Sequence, residues 1–334
     1  MIACEQEGGG YINSSLSILL IQEDHIMFNP FISSVKKNTN KVHFFDRISE
    51  SRYGFLITLP SLLILLMVAV YPVLRVIYMS MTEFGITMQA KFVGQKNFFE
   101  IFTDINFFRY TRNSLIYTLG AVAISFTVGM IIALALNKNL RFTGFLRTIA
   151  LWPWAIPPVV ASITWKWMYN DVMGILNDLL LRCGLISQPL SWLSNGSLAL
   201  ASLIIVHAWI DIPFVIVLLL AGLKSIPQEL YEAASIDGAS NWKQFTKVTL
   251  PLLKPTMMVT LLISTAFAFR TFDIVFTLTR GGPGDATELL VTYIYNNAFQ
   301  FLRFGYSSAL SVIMVIITIL IVLFYTKVFR TNYY

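Results

Sequence analysis

Six apolar runs of about 20 residues or more divide this chain, at 53–78, 113–136, 145–169, 197–223, 256–279 and 306–325. An α-helix rises 1.5 Å per residue, so each run can cross a hydrocarbon core of about 30 Å. In lipid every backbone polar group must bond within the protein, which leaves helices as the form these runs can take. The composition agrees: 56% of residues are hydrophobic and 13% charged, and the mean hydropathy is +0.68. Soluble domains carry about 25% charged residues. The chain of 334 residues therefore reads as one all-α membrane domain over 53–334, preceded by a polar tail over 1–52.

The net charge of +6 matters less than where it sits. With the amino terminus in the cytoplasm, fourteen Lys and Arg fall in cytoplasmic segments, seven in external ones and three in spans. That asymmetry sets the orientation, with both termini cytoplasmic. No basic stripe lies outside the short loops, which excludes a nucleic-acid binder. Cys4 and Cys183 form no framework, and His25, His43 and His207 have no metal-ligand spacing. The run at 11–21 is too short to span and lacks the basic flank of a signal peptide. Gln22-Glu23-Asp24 can be encoded as a ribosome-binding sequence just upstream of Met27. Two starts are open: Met27, with the residues before it non-native, or Met1, with an ordinary tail.

Between the fourth and fifth runs lies a polar, mixed-charge island, 224–255. Pro227 can open a short helix, and 228–236 contains no breaker. Leu230, Ala233 and Ala234 fall on one helical face. Gly238 stands where a C′ glycine turns the chain. Ser240 can cap a second helix through Trp242 and Phe245, expected to stop before Pro251. Two short helices with a glycine turn thus lie across the cytoplasmic surface.

The spacing Glu232-Ala233-Ala234, three residues, Gly238, nine residues, Val248-x-Leu250-Pro251 resembles the EAA loop of ABC importer permeases. The one departure is Val248 where isoleucine is usual. The resemblance implies the type I (MetI-like) permease fold with six transmembrane helices. It also implies that Glu232, Ala233, Ala234, Asp237, Gly238, Leu250 and Pro251 couple the chain to an ATPase. Phe92-x-Gly94-x-x-Asn97-Phe98 resembles the first external loop of sugar permeases, and the stretch 272–284 resembles the end of their fifth span. These implied features place the chain in the bacterial inner membrane as one of two paired permeases. Its implied partners are two ATPase subunits, an external solute-binding protein, membrane lipid and a sugar or oligosaccharide substrate. No cofactor is implied. The chain contains no GxxxxGK[ST] loop, so ATP hydrolysis falls to a separate chain. The alternative class is a secondary transporter or channel without an ATPase, for which an EAA surface has no use. An intramembrane enzyme is disfavoured, because no nucleophile–base or metal constellation exists in the sequence.

Polar residues within spans face protein or water. Asp211 lies near the middle of the fourth run; Arg270 and Asp273, at i, i+3, share a helix face in the fifth. Arg270 is expected to pair with Asp211 or Asp273, as a structural ion pair or as polar lining of a path. Trp209 and Phe269 lie close by in sequence, and aromatic faces suit sugar rings. His207 and Asp211, at i, i+4, lack a third metal ligand and read as a hydrogen-bonded pair on one helix face. The prolines at 153, 157 and 158 predict a bent or broken third span. Gly120, Ala121, Ala123, Ser125 and Gly129 predict close packing of the second.

Overall fold

The computed structural model describes residues 50–84, 89–138 and 143–328. The tail before Glu50, with both candidate starts, lies outside the described residues. The chain falls into two units, 1–72 and 73–334. Helix α1 (Glu50–Leu65) belongs to the first and holds Pro60 inside it; a π turn at Leu66–Val70 follows. Helix α2 (Tyr71–Ser80) carries the chain into the second unit.

The second unit is helical except for a hairpin of three-residue strands, β1 (Thr82–Phe84) and β2 (Ala90–Phe92), with Thr82 opposite Phe92. The sequence offered only the resemblance of 92–98 to an external loop here. Helix α3 (Lys96–Thr103) leads to α4 (Ile105–Asn137), which Asp104 caps through its side chain. Asn97 explains the Phe92–Phe98 motif structurally. Its Nδ2 donates to the carbonyls of Ser80 and Thr82 at 2.8 and 3.0 Å, locking the end of α2. A Cβ on Gly305 would overlap the Thr82 carbonyl, so this corner also fixes the start of the last helix.

The third span is broken as its prolines predict. Helix α5 (Thr143–Leu151) passes through a 3₁₀ turn (Trp152–Ala155), two extended residues and then α6 (Pro158–Met168), bent by 95°. Helix α7 (Ile175–Arg182) lies in the following loop. Asn177 ties that loop together, donating to the Asp171 and Leu190 carbonyls and accepting from the Trp192 indole.

Helix α8 (Gly196–Lys224) is the centre of the unit and packs along α4. Gly129 permits this approach, since a Cβ there would lie 2.6 Å from the Val215 side chain. Ala121 and Ser125 are buried with it, whereas Ala123 points outward. Between membrane helices this close van der Waals packing stands in for the hydrophobic drive available in water. After α9 (Gln228–Ile236) and α10 (Asn241–Gln244), a π turn (Phe245–Thr249) runs directly into α11 (Leu250–Phe269). The expectation that the second short helix stops before Pro251 is thus corrected. Proline lacks an N–H and its ring clashes with the carbonyl four residues back. The wider π turn, closed by Leu250 N–H to Phe245 O, absorbs both defects. Pro72 follows the Leu66–Val70 π turn at the same spacing.

The fifth span breaks again at 270–272 before α12 (Asp273–Leu278). Helix α13 (Leu290–Tyr295), a π turn (Asn296–Gln300) and α14 (Phe304–Val328) complete the chain. By length and composition, the described residues offer five spans, or six with the bent pair of α5 and α6 counted as one.

Candidate functional site

At one end of the unit, α9 stands clear of the helices. Pro227, with ψ of 135°, turns the chain into it. Its end is a Schellman turn. Ala239 N–H bonds Ala234 O at 2.9 Å, Gly238 N–H bonds Ser235 O at 3.1 Å, and Gly238 sits at φ 73°. Ser240 then caps α10, accepting from Lys243 N–H. Tyr231 and Thr249 hydroxyls meet at 3.0 Å, and Gln244 donates to Ser235 Oγ at 2.9 Å, holding α9 against the root of α11. Glu232, Ala233, Asp237, Gly238 and Pro251 are exposed, Ala234 and Leu250 partly so. Ile236 at 87% and Trp242 at 72% exposure add an apolar component to the same surface. Among the described residues no ion pair engages Glu232 or Asp237.

The second feature is a cavity of about 500 Å³ midway along α8. Both helix breaks contribute its walls: Trp154 and Pro158 from the bent third span, and Arg270 to Ile274 from the break before α12. His207, Asp211 and Phe214 come from α8, and Phe267 from α11. Trp154, Phe214 and Phe267 form a chain of rings with centroids 6.4 and 6.1 Å apart.

Asp211, Arg270 and Asp273 therefore line one cavity, but not in the expected way. Arg270 caps α11 and Asp273 opens α12, so they share no continuous helix face. Arg270 pairs with neither carboxylate; its Nε donates to Ala266 O at 3.2 Å. Asp211 accepts instead from Ser125 Oγ of α4 at 2.7 Å. His207 does not bond Asp211 either. Its Nδ1 meets the Tyr117 hydroxyl at 3.0 Å and Thr271 Oγ1 at 3.3 Å, while its buried Nε2 has no protein partner. Trp209 and Phe269 lie off the cavity. Trp209 packs edge-on against Trp165 at 5.8 Å, and Phe269 is in the core with Phe107 and Leu310. The sequence reading passed over Trp154, His207, Phe214 and Phe267 as lining residues. Pro157-Pro158 was a usable signal for Trp154; the break at 270–272 contains neither glycine nor proline and gave none.

At the opposite end from α9, the turn 279–289 is pinned to the start of α4. Arg109 donates to Gly284 O at 3.0 Å, Tyr110 to Asp285 at 3.2 Å, and Asn113 to the carbonyls of Ala286 and Glu288. Arg280, Gly281, Gly284 and Asp285 all have positive φ, and the Gly282–Pro283 peptide is cis.

Residues 125–331 match the family described as binding-protein-dependent transport system inner membrane component. The chain is 36% identical to the trehalose/maltose transport system permease protein MalF of Thermococcus litoralis, over 84% of this chain and 95% of that one. It is 35% identical to the sulfoquinovosyl glycerol transport system permease protein SmoG of Agrobacterium fabrum, over 85% and 92%. The sn-glycerol-3-phosphate transport system permease protein UgpA of the same organism is 34% identical over 81% and 92%. Among solved structures, a bacterial ABC transporter involved in the import of the acidic polysaccharide alginate has a similar fold. The TM-score is 0.74 at 23% identity, covering 86% of this chain and 98% of that one.

Proposed function

The chain belongs to the binding-protein-dependent transport system inner membrane components, and from that premise we propose that it is one permease of a sugar-importing ABC transporter. The relatives named for trehalose/maltose and sulfoquinovosyl glycerol support a carbohydrate substrate. A second permease, two ATPase subunits and an external binding protein complete the assembly. Residues 1–52 form a cytoplasmic tail, and 53–334 form the transmembrane domain with its coupling loop at 224–255.

The observation that carries this reading is the exposed α9. It presents a carboxylate and two alanines on a rigid, glycine-turned hairpin fixed to the root of α11. A partner can drive a conformational change only through contacts that differ between two states. Binding of ATP closes the ATPase dimer, draws the paired coupling helices together and turns the cavity outward to the loaded binding protein. Substrate then meets aromatic faces from Trp154, Phe214 and Phe267, with hydrogen-bonding groups at His207 and Asp211. His207 Nε2 has no protein partner among the described residues and is available to a substrate hydroxyl.

Glu232 has two possible roles. It stands midway along α9, whose first-turn acid is Glu229, so one role is no more than that of a solvated surface carboxylate. On a docking surface it accepts charge-assisted hydrogen bonds from an arginine of the ATPase. The second role predicts that Glu232→Lys weakens ATPase retention on the tagged permease and lowers uptake while the permease stays in the membrane. A reversed charge on the facing arginine restores part of the loss. Full uptake with undiminished ATPase retention in Glu232→Lys rules the bridge out. Purification of the tagged wild type without any ATPase counts against the function itself.

A further inference from the structure

The turn after α12 holds a buried acid that the transport scheme above does not use. Glu288 is only 4% exposed. Its Oε1 accepts from Asn296 Nδ2 at 2.9 Å. Its Oε2 occupies the space that a Cβ on Gly281 would need. Gly281 also sits at φ 87°, so glycine is required there for two reasons.

No cation neutralises this carboxylate. Among the described residues the ion pairs are Lys96–Glu83, Arg182–Asp178 and Arg303–Glu100. Arg109 of α4 is turned to Gly284 O, and Arg280 lies over the Phe276 ring at 5.6 Å. The other groups around Glu288 favour the neutral form or are neutral themselves. Asp285 of the same turn is a like charge, held by the Tyr110 hydroxyl. Helix α13 contributes Thr292 and Tyr293, the latter bonded to Asp104. An unpaired carboxylate in such a place is costly when ionised. Burial pushes the Glu288 carboxyl up to about 7; Asp285 adds to this, and hydrogen bonds from Thr292 and Asn296 oppose it.

The position gives that proton a mechanical consequence. Backbone and side-chain bonds join the turn to α4 through Asn113, and Leu290 N–H bonds Ser114 Oγ at 2.8 Å. At its other end the turn continues from α12, whose Asp273 and Ile274 form a cavity wall. We propose that Glu288 is a positioning residue for transport. Its neutral carboxyl closes the 279–289 turn onto α4 and α13, and its ionisation loosens that turn and releases the α12 wall of the cavity. The inference rests on the transport reading only for the link to turnover.

The sign follows from linkage. The folded carboxyl binds its proton more tightly than the unfolded one, whose value is 4.5. The stabilisation of the turn is therefore full below that value and lost as pH rises through about 7. Between pH 6 and 8 the neutral fraction of such a group falls about tenfold.

The test uses the purified transporter complex in lipid nanodiscs, with infrared spectra and ATP hydrolysis measured from pH 5.5 to 8.5. The expected result is a protonated carboxyl C=O band that titrates near neutrality in the wild type and is missing from Glu288→Gln. The ratio of wild-type to Glu288→Gln hydrolysis should then change severalfold across the same range. Glu288→Gln keeps the bond to Asn296 and should be as stable as the wild type at pH 6. Glu288→Ala loses that bond and should be less thermally stable at every pH. A wild type with no titrating band absent from Glu288→Gln, or the same hydrolysis profile in both, overturns the proposal. A permease that retains no ATPase denies the transport reading, while the infrared titration still decides the latch.

Discussion

Asp211 and Arg270 share a cavity wall yet have different attachments, and this separates what each would cost to remove. The Ser125–Asp211 hydrogen bond joins α4 to α8 in their buried seam. A buried side-chain hydrogen bond of this kind contributes about 0.5–1.5 kcal/mol. Ser125→Ala should lower the thermal stability of the purified permease, and Asp211→Ala should do so by a similar amount. In the double variant the two losses should overlap, because the same bond is removed only once. Arg270→Ala, by contrast, removes an exposed group bonded to a carbonyl of its own helix. With no ion pair between them, Arg270→Ala and Asp211→Ala should show no charge-pair coupling, the double variant losing about the sum of the two. Additivity in the first cycle, or strong coupling in the second, would contradict the assignment. The sequence pointed to the pair Arg270 with Asp211 because both are ionisable in apolar runs. It could not reveal Ser125, since a serine in a small-residue stripe looks the same whether it packs or donates.

At the scale of elements, the reading of the sequence succeeded where backbone chemistry is local. Gly238 with Ser240 and the doubled proline at 157–158 each follow from residues within a turn of the feature. It failed where the fold resolves a conflict between neighbours. Pro251 stops a regular helix, but a π turn lets the helix pass; the break at 270–272 has no glycine or proline to announce it. The β1–β2 hairpin was missed because its strands are three residues each. The Gly238 turn supports a sharp prediction, because no atom lies within 4 Å of where its Cβ would be. Any penalty there is backbone strain alone, of about 1–2 kcal/mol for a residue with a Cβ in the left-handed region. Gly238→Asn should keep near-normal uptake, since asparagine tolerates that region. Gly238→Val should reduce uptake several-fold at unchanged membrane abundance. Equal activity of the two variants would show that the turn does not transmit motion from α9 to α11.

For the whole molecule, the two functional ends lie at opposite ends of the α4–α8 pair. The Met130, Val215 and Leu223 cluster packs near the α9 end, and the Tyr117, Leu203 and Leu289 cluster near the other. Loop 170–195 belongs with the second end, because the Tyr169 hydroxyl bonds Ser202 O and the Tyr169 ring packs on Trp192. Cys183 is exposed on that loop, whereas Ile236 is exposed on α9. In the proposed orientation the α9 side, whose loops hold the excess of Lys and Arg, faces the cytoplasm. A membrane-impermeant maleimide can read this directly. In spheroplasts expressing the Cys4→Ser variant, Cys183 should label before lysis. With Cys4 and Cys183 both changed to serine, Ile236→Cys should label only after the membrane is opened. Both sites are exposed in the folded chain, so with the permease expressed without its ATPase a difference between them reports sidedness rather than burial. Labelling of Ile236→Cys in intact spheroplasts with Cys183 protected would invert the topology. An EAA surface would then face away from any cytoplasmic ATPase, and the transport scheme would fail with it.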